Sequence, residues 1–269
     1  MPLDHTRRSI LILLGLLLSD QAIPLLWQPF GRLLPPLVLE STLLRGLVYS
    51  SLVLLPILAV LALLYPPREW AERLGLADRF WPALLLAVAA TVPMFVGNAL
   101  LGTLHFDLDE LFMGSLRPGL VEEIVFRGFL FGLLYRECGW NFLPAALIGS
   151  FFFGISHAYQ GEDLAGALIA VAFAGVGALW FAWLYVDFGF NLWLPIGLHV
   201  LMNASVSLFQ IEGGVALGPM SNLFRFVTIG LAIFLARRFR PEIPEPKPSD
   251  QLTPGANQPN EVPHGKAGA

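Results

Sequence analysis

Apolar residues in this chain fall into blocks of roughly 20, the length a helix needs to cross the hydrocarbon core of a bilayer. Blocks at 9–27, 43–65, 81–104, 119–136, 141–158, 164–187, 190–210 and 219–236 predict about eight transmembrane helices. The fourth and fifth are the shortest and the most polar. Between the third and fourth, HFDLDELFMGSLRP (105–118) sets acids among Phe106, Leu108, Leu111, Phe112 and Leu116, a pattern that predicts an interfacial helix. From Pro241 onward there are seven prolines in 29 residues and no apolar periodicity, which predicts a disordered, Pro-rich cytoplasmic tail over 241–269. The expected fold is therefore all-α: a polytopic membrane helix bundle over residues 1–240, followed by that tail. The first block follows Arg7 and Arg8 as a signal peptide would. No small-x-small cleavage site comes after it, and apolar character resumes through AIPLLW, so a retained first span is expected.

Composition agrees with a bilayer as solvent. Hydrophobic residues make up 56% and charged residues 13%, with a mean hydropathy of +0.68, whereas roughly a quarter of a soluble domain is charged. The single cysteine, Cys138, excludes an intrachain disulfide, and no CxxC pair or dense Cys/His cluster points to structural zinc or an iron centre. A net charge of −4 with scattered arginines argues against a nucleic-acid partner. The partners expected are the lipid bilayer and a membrane-associated protein or peptide.

Charge also sets an expected orientation. Arg7, Arg8, Arg68, Arg73, Arg79, Arg136, Arg237, Arg238 and Arg240 fall on one side of an eight-span arrangement. The opposite loops hold Arg32, Arg45 and Arg117 together with Asp107, Asp109, Glu110, Glu162, Asp163 and Glu212. Basic residues concentrate in cytoplasmic loops, so both termini are expected in the cytoplasm, with the protein integral to a bacterial inner (plasma) membrane.

Against this apolar background stands a set of polar residues. Glu122, Glu123 and Arg127 lie in the fourth block, His157 ends the fifth, and His199 and Asn203 lie in the seventh. A charge at the centre of a span costs about 2.5–3.5 kcal/mol on insertion scales, so such residues are functional candidates. Glu123 and Arg127 are four apart with the acid first, share a face and pair. That leaves Glu122, about 100° round the helix, free to face elsewhere. Phe153 lies one turn before His157 and packs beneath its imidazole; His199 and Asn203 repeat the spacing. In the expected topology all four of Glu122, His157, His199 and Asn203 fall at one depth. Taken singly, Glu123 with Arg127 also reads as a structural ion pair, and Asn203 as interhelical glue. Together the set exceeds what helix adhesion requires.

The three clusters EEIVFR (Glu122, Glu123, Arg127), FGISH (Phe153 to His157) and HVLMN (His199 to Asn203) resemble, in order, the EExxxR, FxxxH and HxxxN/B motifs of the CAAX protease and bacteriocin-processing family, CPBP or Abi. That family includes the Ras-converting type of prenyl-protein endopeptidase. The matching region runs from about 119 to 205, and the eight-span layout also looks like the family.

The resemblance implies intramembrane proteolysis, with a water activated between Glu122 and His157 and an oxyanion held by His199 and Asn203. Glu123, Arg127 and Phe153 would position the site. No metal is favoured; were zinc present, Glu122, His157 and His199 would be its ligands, although no HExxH occurs. The charge-derived topology places the site nearer the outer face, which departs from a cytoplasmic prenylated substrate and favours an exported or membrane-embedded peptide. Two other readings of the same residues are a non-catalytic membrane peptide binder, such as a bacteriocin-immunity protein, and an ion or proton carrier.

Overall fold

A computed structural model of the chain describes residues 4–211 and 219–240. The tail expected at 241–269 and Glu212 lie outside the described residues. The long helices are α1 (His5–Gly31), α3 (Thr42–Leu64), α5 (Phe80–Leu101), α9 (Phe142–Ile155), α10 (Leu164–Asp187), α11 (Trp193–Ser207) and α12 (Pro219–Arg238), with short helices α2 (Pro36–Glu40) and α4 (Trp70–Leu74) between. Helix starts are fixed locally. Asp4, Ser41 and Asp163 each accept a backbone N–H of the first turn, from Arg7, Leu44 and Gly166, satisfying donors that a helix cannot pair internally.

Among the described residues six helices are long and apolar enough to cross a membrane: those at His5–Gly31, Thr42–Leu64, Phe80–Leu101, Phe142–Gln160, Leu164–Asp187 and Met220–Arg238. The protein is a polytopic integral membrane helix bundle. Leucines such as Leu14, Leu55, Leu85 and Leu168 lie exposed on its outside, as a lipid-facing surface requires. The fourth and seventh predicted spans are also helical but differ in kind: α11 has 15 residues, and the fourth carries the charges. Both run inside the bundle.

Residues 108–137 form one continuous helix, so the stretch read as a separate interfacial helix is instead the beginning of the fourth span. It comprises α6 (Leu108–Leu111), a π segment (Phe112–Leu116), α7 (Arg117–Glu123), a second π segment (Ile124–Phe131) and α8 (Gly132–Glu137). Asp107 caps it by accepting from the Asp109 and Glu110 amides. The first π segment precedes Pro118, whose ring and missing N–H disturb an α ladder. The second holds Arg127.

This helix is the axis of the molecule. Phe129, Leu130, Phe131, Leu133 and Leu134 are buried in a core shared with Ile12 and Leu16 of α1, Ile57 and Leu61 of α3, Ala145 and Ala146 of α9, and Tyr185 of α10. A second core joins Ala83, Ala87 and Ala90 of α5 to Leu194 and Leu198 of α11, Phe181 and Leu184 of α10, and Ala232 and Ala236 of α12.

The two ends are tied differently. At one, Trp140 Nε1 donates to Ser9 Oγ (3.1 Å), Trp193 Nε1 to the Leu76 carbonyl (3.0 Å) and Asn191 Nδ2 to the Asp78 carbonyl (2.7 Å). Gly75 sits there at φ 79°, and a Cβ on it would meet Tyr185 at 2.8 Å, so this turn suits glycine twice over. Arg73 bridges Glu69 (2.8 Å) and Glu137 (2.6 Å) and lies 4.3 Å over the Tyr65 ring. Arg8, Arg136 and Arg240 gather at the same end. At the other end a two-residue ladder, β1 (Thr103–Leu104) with β2 (Phe209–Gln210), ties α5 to α11, and the His105 amide donates to the Leu208 carbonyl at 2.8 Å.

Candidate active site

The polar residues lie in the half of the bundle nearer the β1–β2 end, where Glu122, Glu123, Arg127 and His199 are brought together. Arg127 and Glu123 are 2% and 0% exposed, and the guanidinium Nη1 lies 3.0 Å from Glu123 Oε1. That ion pair is the one predicted from the spacing. The same carboxylate oxygen lies 2.7 Å from His199 Nδ1, so one buried anion holds a cation on its own helix and an imidazole on α11. The Arg127 guanidinium sits 4.5 Å over the Phe153 ring of α9 and 5.2 Å over the Phe181 ring of α10, a favourable arrangement for a cation on aromatic faces. Four helices therefore converge on the Glu123–Arg127 pair. This explains how a charge pair survives there: removing either partner would leave an uncompensated buried charge.

Glu122 is the unpaired acid. Its Oε2 is buried without a hydrogen bond and lies 4.0 Å from His199 Nε2. His199 stands between the two acids, with Nδ1 on Glu123 and Nε2 towards Glu122. A carboxylate accepts only, so Nδ1 carries a hydrogen and the ring is held in one orientation.

His157 closes α9. Its Nδ1 is 2.7 Å from the Phe153 carbonyl and 3.3 Å from Ser156 Oγ, while the Phe153 ring lies 4.5 Å from the imidazole at 32°, as the four-residue spacing predicts. Donation from Nδ1 to a carbonyl leaves Nε2 with a free lone pair. Phe153 also approaches the His199 ring, at 6.4 Å, and so lies between the two histidines. Asn203, one turn beyond His199, donates through Nδ2 to the Gly114 carbonyl at 3.0 Å. That uses one of its two N–H groups.

Among the described residues no hydrogen bond or ion pair joins His157 to Glu122, and no three His, Cys, Asp or Glu side chains are gathered as a metal-ligand group. His199 Nδ1 is engaged by Glu123 and His157 Nδ1 by a carbonyl, which leaves Nε2 of each ring clear of these contacts.

A cavity of about 190 Å³ opens beside Glu122, room for about six waters at bulk volume. Its polar lining is Ser19 and Asp20 of α1, Arg117 and Glu122 of α7, and Ser156 just beyond α9. The contribution of α1 was missed in the sequence. The signal was present: Asp20 is an acid inside the first apolar block, and the rule that singled out Glu122 applies to it equally.

Residues 105–205 match the family model described as "Type II CAAX prenyl endopeptidase Rce1-like". The chain is also similar to a Bacillus subtilis (strain 168) protein described as "Putative membrane peptidase YdiL", at 37% identity over 102 residues. That match covers 38% of this chain and 37% of the relative, so the chain spans well under half of the length of the relative it matches. No solved structure matches. Both matches agree with the resemblance drawn from the three motifs, and the family model spans the segment that bears them.

Proposed function

We propose that this chain is an intramembrane endopeptidase that hydrolyses a peptide bond in a membrane-associated protein. The Rce1-like match over 105–205 supports the class. The observation that carries the mechanism is the division of labour between adjacent acids: Glu123 is consumed by Arg127 and His199, whereas Glu122 lines a cavity with no hydrogen bond to its Oε2.

In this reading a water held beside Glu122 directs one hydrogen to its carboxylate and the other to His157 Nε2. Glu122 takes the proton as the oxygen attacks the substrate carbonyl. The resulting tetrahedral oxyanion receives the second N–H of Asn203 and an N–H from His199 Nε2, which requires His199 to be an imidazolium at that stage. Glu123 stabilises that cation through Nδ1. Collapse breaks the C–N bond, and Glu122 returns its proton to the leaving amine. Donors fixed before the charge develops are the strongest source of stabilisation in such sites, and the Glu123 and Gly114 tethers fix these two. Arg127 and Phe153 position the assembly. No step requires a metal.

The substrate is proposed as an exported or membrane-embedded peptide reached from the outer side, with both termini of the enzyme in the cytoplasm. The grouping of Arg8, Arg73, Arg136 and Arg240 at the end remote from the site supports that orientation.

The test is a comparison of membrane peptides in cells making the wild-type chain, Glu122→Gln or His157→Ala. New peptide termini present only with wild type are expected. Identical profiles would remove the peptidase reading.

A further inference from the structure

We infer that Arg117 is a specificity-determining residue that binds a carboxylate of the substrate in the cavity served by Glu122. The inference rests on the endopeptidase reading for its meaning but not for its test.

Two other arginines withdrawn from solvent are paired with acids, and a third, Arg225, donates to Asn222 Oδ1 at 3.0 Å. Arg127 has Glu123, and Arg73 has Glu69 and Glu137. Arg117 is half-buried, and among the described residues it has no ion pair or hydrogen bond; its Nε is buried with no partner at all. An acid is nearby, since Asp20 lines the same cavity from α1. Yet the two are not paired, and Asp20 Oδ2 instead accepts from its neighbour Gln21 at 2.7 Å. Two opposite charges thus line one cavity from different helices with no ion pair formed between them. An unpaired guanidinium within a membrane protein is costly, and an incoming anion would relieve it.

The chemistry of that anion follows from the surroundings. A guanidinium presents a planar fork of donors that matches a carboxylate with two parallel hydrogen bonds. The rest of the lining, including Leu16, Val53, Val125 and Phe152, is apolar and suits peptide side chains. A phosphate would set a charge larger than a carboxylate's beside Asp20 and Glu122.

Glu122 follows Arg117 by five residues in α7, about 7.5 Å along the axis at the rise of an α-helix. A substrate carboxylate held by Arg117 would therefore lie within a few residues of the bond presented to Glu122. It is either a free carboxyl terminus or an acidic side chain.

The experiment uses full-length protein in phosphatidylcholine nanodiscs, in the Glu122→Gln background so that bound peptide is not consumed. The probe is a pool of fluorescent apolar peptides in four forms: terminus free or amidated, each with Glu or Gln near that terminus. Forms with a carboxylate are expected to bind about tenfold more tightly than the amidated Gln form. Which carboxylate confers the gain identifies the source. The gain is expected to vanish in Glu122→Gln/Arg117→Gln and to survive in part in Glu122→Gln/Arg117→Lys, with melting and gel filtration confirming that each variant is folded. Equal binding of all four forms, or a preference that survives Arg117→Gln, would overturn the inference. Loss of the preference on adding an anionic phospholipid would assign Arg117 to lipid phosphate and overturn it as well. Turnover by wild type is read separately, so failure of the peptidase reading leaves this result decisive.

Discussion

Adjacent glutamates with opposite fates are the centre of this protein at the scale of the residue. Glu123 and Arg127 were legible because four-residue spacing on a helix dictates a shared face. The link from Glu123 to His199 was not, since nothing in local sequence says which acid an imidazole 76 residues away will choose. Arg127→Leu should cost about 3–5 kcal/mol of stability, because it strands a buried carboxylate; thermal melting in detergent checks this. Glu122→Gln should behave in the opposite way. Its Oε2 accepts no hydrogen bond and lies 4.0 Å from the His199 ring, so little is lost with the charge, and the melting temperature should stay level or rise while turnover disappears, the usual separation of stability from activity at a strained polar site. A large fall in stability would mean that Glu122 is structural.

Helix packing decides whether those residues meet. α7 approaches α11 through Gly119, where a Cβ would collide with the Val200 side chain and lie 2.9 Å from the Val200 backbone nitrogen. Gly119→Ala should therefore push α7 from α11, costing about 1–3 kcal/mol as overpacking does, and should weaken turnover by separating Glu123 from His199. Comparing it with Gly177→Ala, where a Cβ meets nothing within 4 Å, isolates the packing effect. At the far end of the bundle Tyr65 has an independent pH signature. Burial, and then the Glu137 carboxylate, push its hydroxyl up to about 12 from the ordinary 10. The folded state keeps this proton where the unfolded chain loses it, so the contribution is complete below pH 10 and is lost as pH rises towards 12. Melting temperature should fall more steeply across that interval in wild type than in Tyr65→Phe.

At the scale of the whole molecule, the blocks of apolar residues foretold the helices well because lipid-facing segments are apolar all round and of fixed length. They foretold 119–136 and 190–210 less well for the same reason. α11 and the helix through Glu122 are enclosed by other helices, so neither has to satisfy lipid over its full length, and each is free to carry charge. The continuous helix from 108 to 137 was hidden by the acids at its start. Orientation is open to a direct check. Cys138 is buried and its thiol is raised by that burial, so native labelling by maleimide should be slow. Single cysteines placed at Glu162 and at Arg68 in a Cys138→Ala chain should then label from outside and from the cytoplasm respectively. The reverse pattern would invert the topology and place the site on the cytoplasmic side.

The most direct measurement follows oxygen from solvent. Purified protein in nanodiscs, given a pool of apolar peptides in heavy-oxygen water, should place one heavy oxygen in each newly formed carboxyl group, and folded Glu122→Gln should form none. Equal product from the two proteins, or new termini without the label, would contradict a Glu122-activated water as the agent of cleavage.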